Sequence, residues 1–239
     1  MKVRKKATFL KKFKAGALDL SNVDWSSEEI SHDRDCMLAA VQQDGWALGH
    51  ASDTLRNNRE VVMTAVQQAG GALQCASAAL RNDREIVLTA IQQDGRALMY
   101  ASPALQNNRE FVLTAVQQTG GALQCASAAL RNDRKIVLTA VQQDGRALMY
   151  ASPVLQNDRE VVMTAVQQAR GALHYASAAL RNDREIVLTA VCSDGSALAY
   201  ASDALRADRK IVREAVKQTN EAVRYASADL LAQYVLADA

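Results

Sequence analysis

An Asp or Asn followed by Arg returns every 25 residues along the chain, at Asp33-Arg34, Asn58-Arg59, Asp83-Arg84, Asn108-Arg109, Asp133-Arg134, Asp158-Arg159, Asp183-Arg184 and Asp208-Arg209. Each pair opens the same stretch: an apolar run, Gln-Gln-Asp-Gly or a variant of it, Ala-Leu, then Ala-Ser and a closing Leu. A fixed period between 20 and 50 residues allows few architectures. One such unit cannot bury its apolar face alone and becomes stable only when stacked on its neighbours. The 239-residue length alone would allow one or two globular domains. The repeat makes a single elongated array the expectation.

Within a unit the apolar residues follow a helical period. Asp83 stands where an N-cap is needed, because its carboxylate can accept from an otherwise orphaned backbone N–H. Ile86, Val87, Leu88, Ala90 and Ile91 then spread over much of the helix circumference, so this helix must lie between neighbours on both sides. Gly95 and its equivalents Gly45, Gly70, Gly120, Gly145 and Gly195 read as left-handed C-caps, a series broken by Arg170 and Asn220. Ala97, Leu98 and Ala101 form one edge of a second helix of about two turns. Ser102-Pro103 and Ser152-Pro153 supply an N-cap and a first-turn proline, so this second helix should break near the serine and end in a turn at Leu105.

The fold class that follows is all-α: a right-handed α-solenoid of eight 25-residue helical hairpins. No strand-length alternation competes with it. A longer period of 50 is also present, since residues 82–131 match 132–181 at 40 of 50 positions. The expected organisation is a basic helix and degenerate half-repeat over 1–32, the repeats over 33–230, and a C-terminal cap over 231–239. Asn22 to Ile30 carry the half-repeat, with Val23 and Ile30 on the leucine positions.

The net charge of +2 divides unevenly. Lys2, Arg4, Lys5, Lys6, Lys11, Lys12 and Lys14 precede the first acid, and the remainder is mildly acidic. Residues 1–20 read as an amphipathic helix on Val3, Ala7, Leu10 and Phe13. Its simplest role is to cover the first repeat, and its alternative is contact with a membrane surface or nucleic acid. Cys36, Cys75, Cys125 and Cys192 have no metal-ligand spacing and read as free thiols of a reducing compartment. No signal peptide or apolar run of about 20 residues stands out. The expected location is the cytoplasm, in its own cell or after delivery into another.

The module Leu80-Arg81-Asn82-Asp83-Arg84-Glu85-Ile86-Val87-Leu88, followed by Ile-Gln-Gln-Asp-Gly-Arg-Ala-Leu and Tyr-Ala-Ser, resembles the bacterial and protist repeat family known as domain of unknown function 4116. The resemblance covers about residues 30–230. It implies a tandem helical repeat, often found in large multi-repeat proteins, with no established activity and no catalytic residue to carry over.

Two sets of residues are candidates for function. The arginine of each opening pair would form a ladder able to follow phosphates or carboxylates, but stacking of identical units explains a repeated residue more simply. The serine of each Ala-Ser likewise reads as a cap, because the three histidines are scattered and no base and orienting group accompany it. Positions that differ between copies suit recognition better. They form a ridge of Trp46, Arg96, Met99, Arg146, Met149, His174 and Arg224. The sequence therefore points to a non-catalytic scaffold that binds another protein, a monomer with at most weak self-association. Neither cofactor, metal nor catalytic residues are expected. The alternative is a polyanion binder, nucleic acid or anionic membrane surface, using Lys5, Lys6, Lys11, Lys12, Lys14 and the arginine ladder.

Overall fold

The structure, a computed structural model, describes residues 3–237, with side chains through residue 232. It divides into two compact units, Met1–Gln118 and Thr119–Ala239. Both are built from the same two layers. Long ten-residue α-helices form one: Arg34–Gln43, Arg59–Gln68, Arg84–Gln93 and Arg109–Gln118 in the first unit, and Arg134–Gln143, Arg159–Gln168, Arg184–Ser193 and Arg209–Gln218 in the second. Short 3₁₀ helices form the other, among them Gly45–His50, Gly70–Cys75 and Gly95–Tyr100, then Gly120–Cys125, Gly145–Tyr150 and Gly195–Tyr200. The chain is an all-α tandem-repeat solenoid, with its described residues holding helices and one isolated bridge, Val3 to Val23.

Each long helix starts where the sequence places it. The carboxylate of Asp83 accepts from the amides of Glu85 and Ile86 at 3.0 and 3.1 Å, and Asn58 does the same for Glu60 and Val61. Helix Arg84–Gln93 buries Ile86, Val87, Ala90 and Ile91 completely between helices Arg59–Gln68 and Arg109–Gln118. Four large side chains per repeat, such as Ile136, Val137, Val141 and Leu148, are buried in every copy but the last, where Val216 and Val223 are partly exposed. At roughly 1.5–3 kcal/mol each, this burial dominates the stability of the stack.

The second half of the repeat differs from the expected two-turn helix. It is a six-residue 3₁₀ helix that ends at the Ala-Ser step, followed by a short α or 3₁₀ turn such as Pro103–Gln106 or Leu130–Asn132. The break near the serine is as expected. A repeat therefore has three helical pieces.

The glycines that follow the long helices are not left-handed C-caps. Among the described residues only Gly16 has positive φ, at 65°. The residue after each long helix, such as Asp94 (φ −149°), is extended, and where it is Asp its carboxylate caps the 3₁₀ helix instead, as Asp94 does by accepting from the amide of Arg96 at 2.9 Å. The glycines are needed for close approach. A Cβ on Gly45, Gly70 or Gly120 would stand 2.4 Å from the carbonyl oxygen of Ala65, Ala90 or Ala140 in the following helix, and one on Gly145 or Gly195 only 2.2 Å from Ala165 or Ala215. Both exceptions fit this reason. At Arg170 the 3₁₀ helix shortens to Ala172–Tyr175 and the arginine turns to solvent. Asn220 belongs to the last copy, where a helix of another kind, Ala228–Ala237, follows in place of the next long helix.

At the N-terminus the helix spans Lys6–Lys14 rather than most of residues 1–20. Gly16 stops it: its amide donates to Phe13 and that of Ala17 to Lys12, both at 2.9 Å, closing the helix with a left-handed glycine. Phe9 is the fully buried anchor, whereas Ala7 is exposed. Val3 lies outside the helix and pairs with the half-repeat, its amide donating to Asn22 at 2.7 Å and its carbonyl accepting from Asp24 at 2.9 Å. Val23 and Ile30 are buried as the half-repeat register requires. The C-terminal tail continues as helix Ala228–Ala237; the side chains of Tyr234, Val235 and Leu236 lie outside the described residues.

Candidate interaction face

The arginine ladder joins consecutive copies. Arg84 Nη2 donates to Glu110 at 2.8 Å, Arg134 Nε to Asp158 at 2.8 Å, Arg159 Nε to Asp183 at 3.3 Å and Arg184 Nη2 to Asp208 at 3.3 Å. Arg34 also reaches Glu60, Arg59 reaches Glu85, Arg134 reaches Glu160 and Arg159 reaches Glu185. Each of these six arginines thus meets the capping Asp or first-turn Glu of the next copy, 24 or 26 residues on. Those carboxylates offset the unfavourable placing of a cation in a helix's first turn. The guanidinium groups remain about half exposed, so solvent screens the pairs. Arg134 holds the carboxyl of Asp158 below its ordinary range.

Lys6 continues this pattern from the N-terminal helix. Its ammonium lies 2.6 Å from Asp33 and 3.4 Å from Asp35, the acids that open the first full repeat. It holds the place that a preceding arginine would take. Lys5, Lys11, Lys12 and Lys14 are exposed, the last three in the final turn of their helix, where cations complement the helix dipole.

The serine column is also structural. The hydroxyl of Ser77 donates to Asn57 and that of Ser202 to Asn182, both at 2.6 Å and 20 residues back. Backbone amides reinforce this link: Ser102 donates to the carbonyl of Arg81 at 2.8 Å and Ser177 to that of Gln156 at 2.9 Å. The same serine oxygens accept from an amide three residues on, as at Leu205 (3.3 Å). In the first full copy His32 stands where an Asn partner would be, and the Ser52 hydroxyl is buried without a partner.

The seven ridge residues are all exposed and all on 3₁₀ helices. Three residues per turn put positions three apart on one face, so Arg96 aligns with Met99, Arg146 with Met149, and Glu221 with Arg224. Trp46, Met99 and Met149 are 49, 54 and 43% exposed. Val154, 68% exposed in the turn after Pro153, is a further exposed apolar side chain that the ridge expected from sequence does not include. Its signal was present, since position 154 is one of the few where residues 132–181 depart from 82–131, which carry Ala104.

Local contacts set these side chains apart from one another. Trp46 lies across the backbone of the next copy, where a Cβ on Gly71 would stand 2.7 Å from its ring carbons Cη2 and Cζ2. Arg146 bends back onto Asp144 of its own copy, Nε and Nη2 each 3.2 Å from a carboxylate oxygen. His174 sits between the rings of Tyr175 and Tyr200, with centroids 5.0 and 4.7 Å away, and the Arg224 guanidinium is 5.6 Å from the Tyr225 ring. In the first unit His50 stacks on Trp25 at 4.6 Å, and Trp25 meets Phe9 edge-on at 6.4 Å.

Three hollows on the described surface are open to solvent, one of about 420 Å³ lined by Lys6, Glu28, Glu29, His32 and Asp33. One of about 160 Å³ is lined by Arg131, Tyr150, Ser152 and Pro153, and one of about 290 Å³ by Phe13, Leu18, Gln42 and Gln43. Cys36 is buried, and burial with Asp33 alongside pushes its thiol up to about 12. Among the described residues no three His, Cys, Asp or Glu side chains are placed to hold a metal ion, and no helix is long and apolar enough to cross a membrane.

Comparison with known proteins agrees with this repeat. The family model "Domain of unknown function (DUF4116)" matches six overlapping segments, residues 33–81, 58–106, 83–131, 108–155, 133–181 and 183–231. No curated protein and no solved structure matches the chain. With the period of 25, the two-layer repeat and matches running from 33 to 231, the chain belongs to the DUF4116 family of tandem helical repeats.

Proposed function

We propose that this protein is a non-catalytic scaffold that binds another protein along the exposed face of its 3₁₀ helices. One observation carries the reading. The large apolar side chains exposed among the described residues, Trp46, Met99, Met149 and Val154, lie on 3₁₀ helices or the turns after them. The residues common to every copy are occupied otherwise, the arginines with the next copy's acids and the serines with the preceding copy's backbone. Aromatic, Met and Arg side chains on an accessible face are what protein recognition uses. The four cysteines, none of them in a disulfide, suit action in the cytosol.

Affinity capture from the native cytosol tests this. Trp46→Ala, Met99→Ala and Met149→Ala are each expected to weaken capture of a partner without changing the fold. Undiminished capture by the triple variant would place recognition on another face.

The exposed Lys5, Lys11, Lys12 and Lys14 favour a second reading, contact with a polyanion. Lys6 and the ladder arginines are engaged within the chain, so that reading rests on four lysines. Binding to DNA, RNA and anionic vesicles across salt, with these four changed to Gln, separates the two. Deleting the segment would uncover the site of buried Phe9 and confuse the comparison. Salt-dependent binding lost in the Gln variant would support the polyanion reading, and none at low salt would end it.

A further inference from the structure

Gly71, Gly121 and Gly171 occupy one position in alternate copies, directly after Gly70 and Gly120, which pass beneath a neighbouring carbonyl, and after Arg170 in the third. Gly71 has an evident reason to lack a side chain: the indole of Trp46 fills the space where its Cβ would be. Gly171 has none. Its φ of −91° suits any residue, and a Cβ there would meet nothing within 4 Å; the same open space surrounds Gly121.

The residue that could cover Gly171 as Trp46 covers Gly71 is Arg146, which stands at the equivalent position 100 residues on. Its side chain is instead forked onto Asp144. The backbone at Gly171 is left as an exposed shelf, with exposed Arg170 before it, His174 three residues on, and Met149 on the same face of the preceding 3₁₀ helix as Arg146. Between residues 82–131 and 132–181 the sterically demanded Gly120 gives way to Arg170, while the unconstrained Gly171 keeps its glycine.

We propose that the shelf at Gly171 receives an aromatic side chain from an acidic segment of a partner protein, in the manner that Trp46 lies on Gly71 within this chain. This rests on the scaffold reading above and names the partner's chemistry. A flat ring can lie on a backbone that has no Cβ. The exposed Arg170 supplies a cation for a neighbouring carboxylate, the guanidinium of Arg146, held on Asp144, offers a flat border to the ring, and the Met149 sulfur is a favourable neighbour for an aromatic edge. The in-chain contact of Trp46 supplies the occupant's shape, and the exposed Arg170 beside the shelf its charge.

The full chain, labelled with nitrogen-15, can be titrated with the probe peptide acetyl-Asp-Trp-Glu-amide, with acetyl-Asp-Leu-Glu-amide as control. Saturable shifts of the Gly171 and His174 amides are expected from the tryptophan peptide and at least tenfold weaker ones from the leucine peptide. Gly71 should stay still until Trp46→Ala uncovers it, and then respond. Gly171→Gln should abolish the response at its own site with an unchanged unfolding midpoint, since the added side chain meets open space. An unmoved Gly171 at millimolar probe, equal response to both peptides, or a Gly171→Gln variant that still responds overturns the proposal. Loss of partner capture in Trp46→Ala and Met99→Ala alongside any of those results would leave the scaffold reading standing and remove the shelf alone.

Discussion

Gly145 passes so close to the carbonyl oxygen of Ala165 that a Cβ on it would stand 2.2 Å away, with the Ala169 Cβ at 2.9 Å on another side. Backbone cannot yield as a flexible side-chain tip can. Gly145→Ala is expected to cost about 1–3 kcal/mol, the range for forcing an extra carbon into a packed site. Gly171→Ala should lie within about 1 kcal/mol of the parent and on its stabilising side, because it only restricts the unfolded chain. Denaturant unfolding of the two variants checks this. Equal effects would mean that close approach is not why the glycine is needed at 145.

The ladder is incomplete at Arg184. Five copies offer a Glu two residues after the capping Asp or Asn (Glu60, Glu85, Glu110, Glu160 and Glu185), but residue 210 is Lys, as residue 135 is, and Arg184 meets Asp208 at 3.3 Å. Lys210→Glu should supply the missing acceptor and remove a like charge. A small rise in unfolding midpoint at low salt, fading as salt screens the pair, is the expected result. A fall in midpoint would show that the second acceptor adds nothing at this step.

Acid should loosen the stack through its caps. Arg134 beside Asp158, and the Ile186 amide and Arg159 beside Asp183, hold these carboxyls below their ordinary range. A lowered native pKa stabilises the fold above the unfolded value, about 3.9, and that contribution disappears as pH falls through the native value. The thermal midpoint should therefore hold near neutrality and drop below about pH 4. Asp158→Asn with Asp183→Asn should flatten this drop, since Asn58 already caps its helix as a neutral residue. Circular dichroism melts across pH decide the matter, and an undiminished drop in the double variant would assign acid sensitivity to other groups.

Ser202 both caps the turn Asp203–Arg206 and donates to Asn182 of the preceding copy. Ser202→Ala should cost about 0.5–2 kcal/mol, the usual range for a lost cap. Hydrogen exchange should quicken at Leu205, whose amide loses its acceptor, and at the Ser202 amide itself, which bonds the Arg181 carbonyl. Unchanged exchange at both would mean that the hydroxyl has no part in joining copies.

Much of the fold was legible in the sequence because the stack depends on local, repeated chemistry. The capping Asp or Asn, the four buried apolar positions and the serine turn can each be read from one 25-residue copy, since nearest-neighbour stacking presents every copy with the same surroundings. The exposure of the variable ridge is legible for a related reason. Positions free of stacking duties can vary, and Trp46, Met99 and Met149 were found as departures from the pattern. Val154 leaves the same mark but lies outside the 3₁₀ segment that defines the ridge.

The sequence by itself determined the period, the helix starts, the all-α class and the identity of the columns. Tertiary structure decided what several residues are for. A glycine after a helix suggests a left-handed cap, and only the neighbouring copy's carbonyl shows that Gly45 and Gly145 serve close approach instead. A repeated arginine could follow a polyanion, and only the geometry of the next copy places Arg134 against Asp158 and Lys6 against Asp33. Both facts are distances between residues about 20 to 27 apart in sequence, set by how one repeat lies on the next.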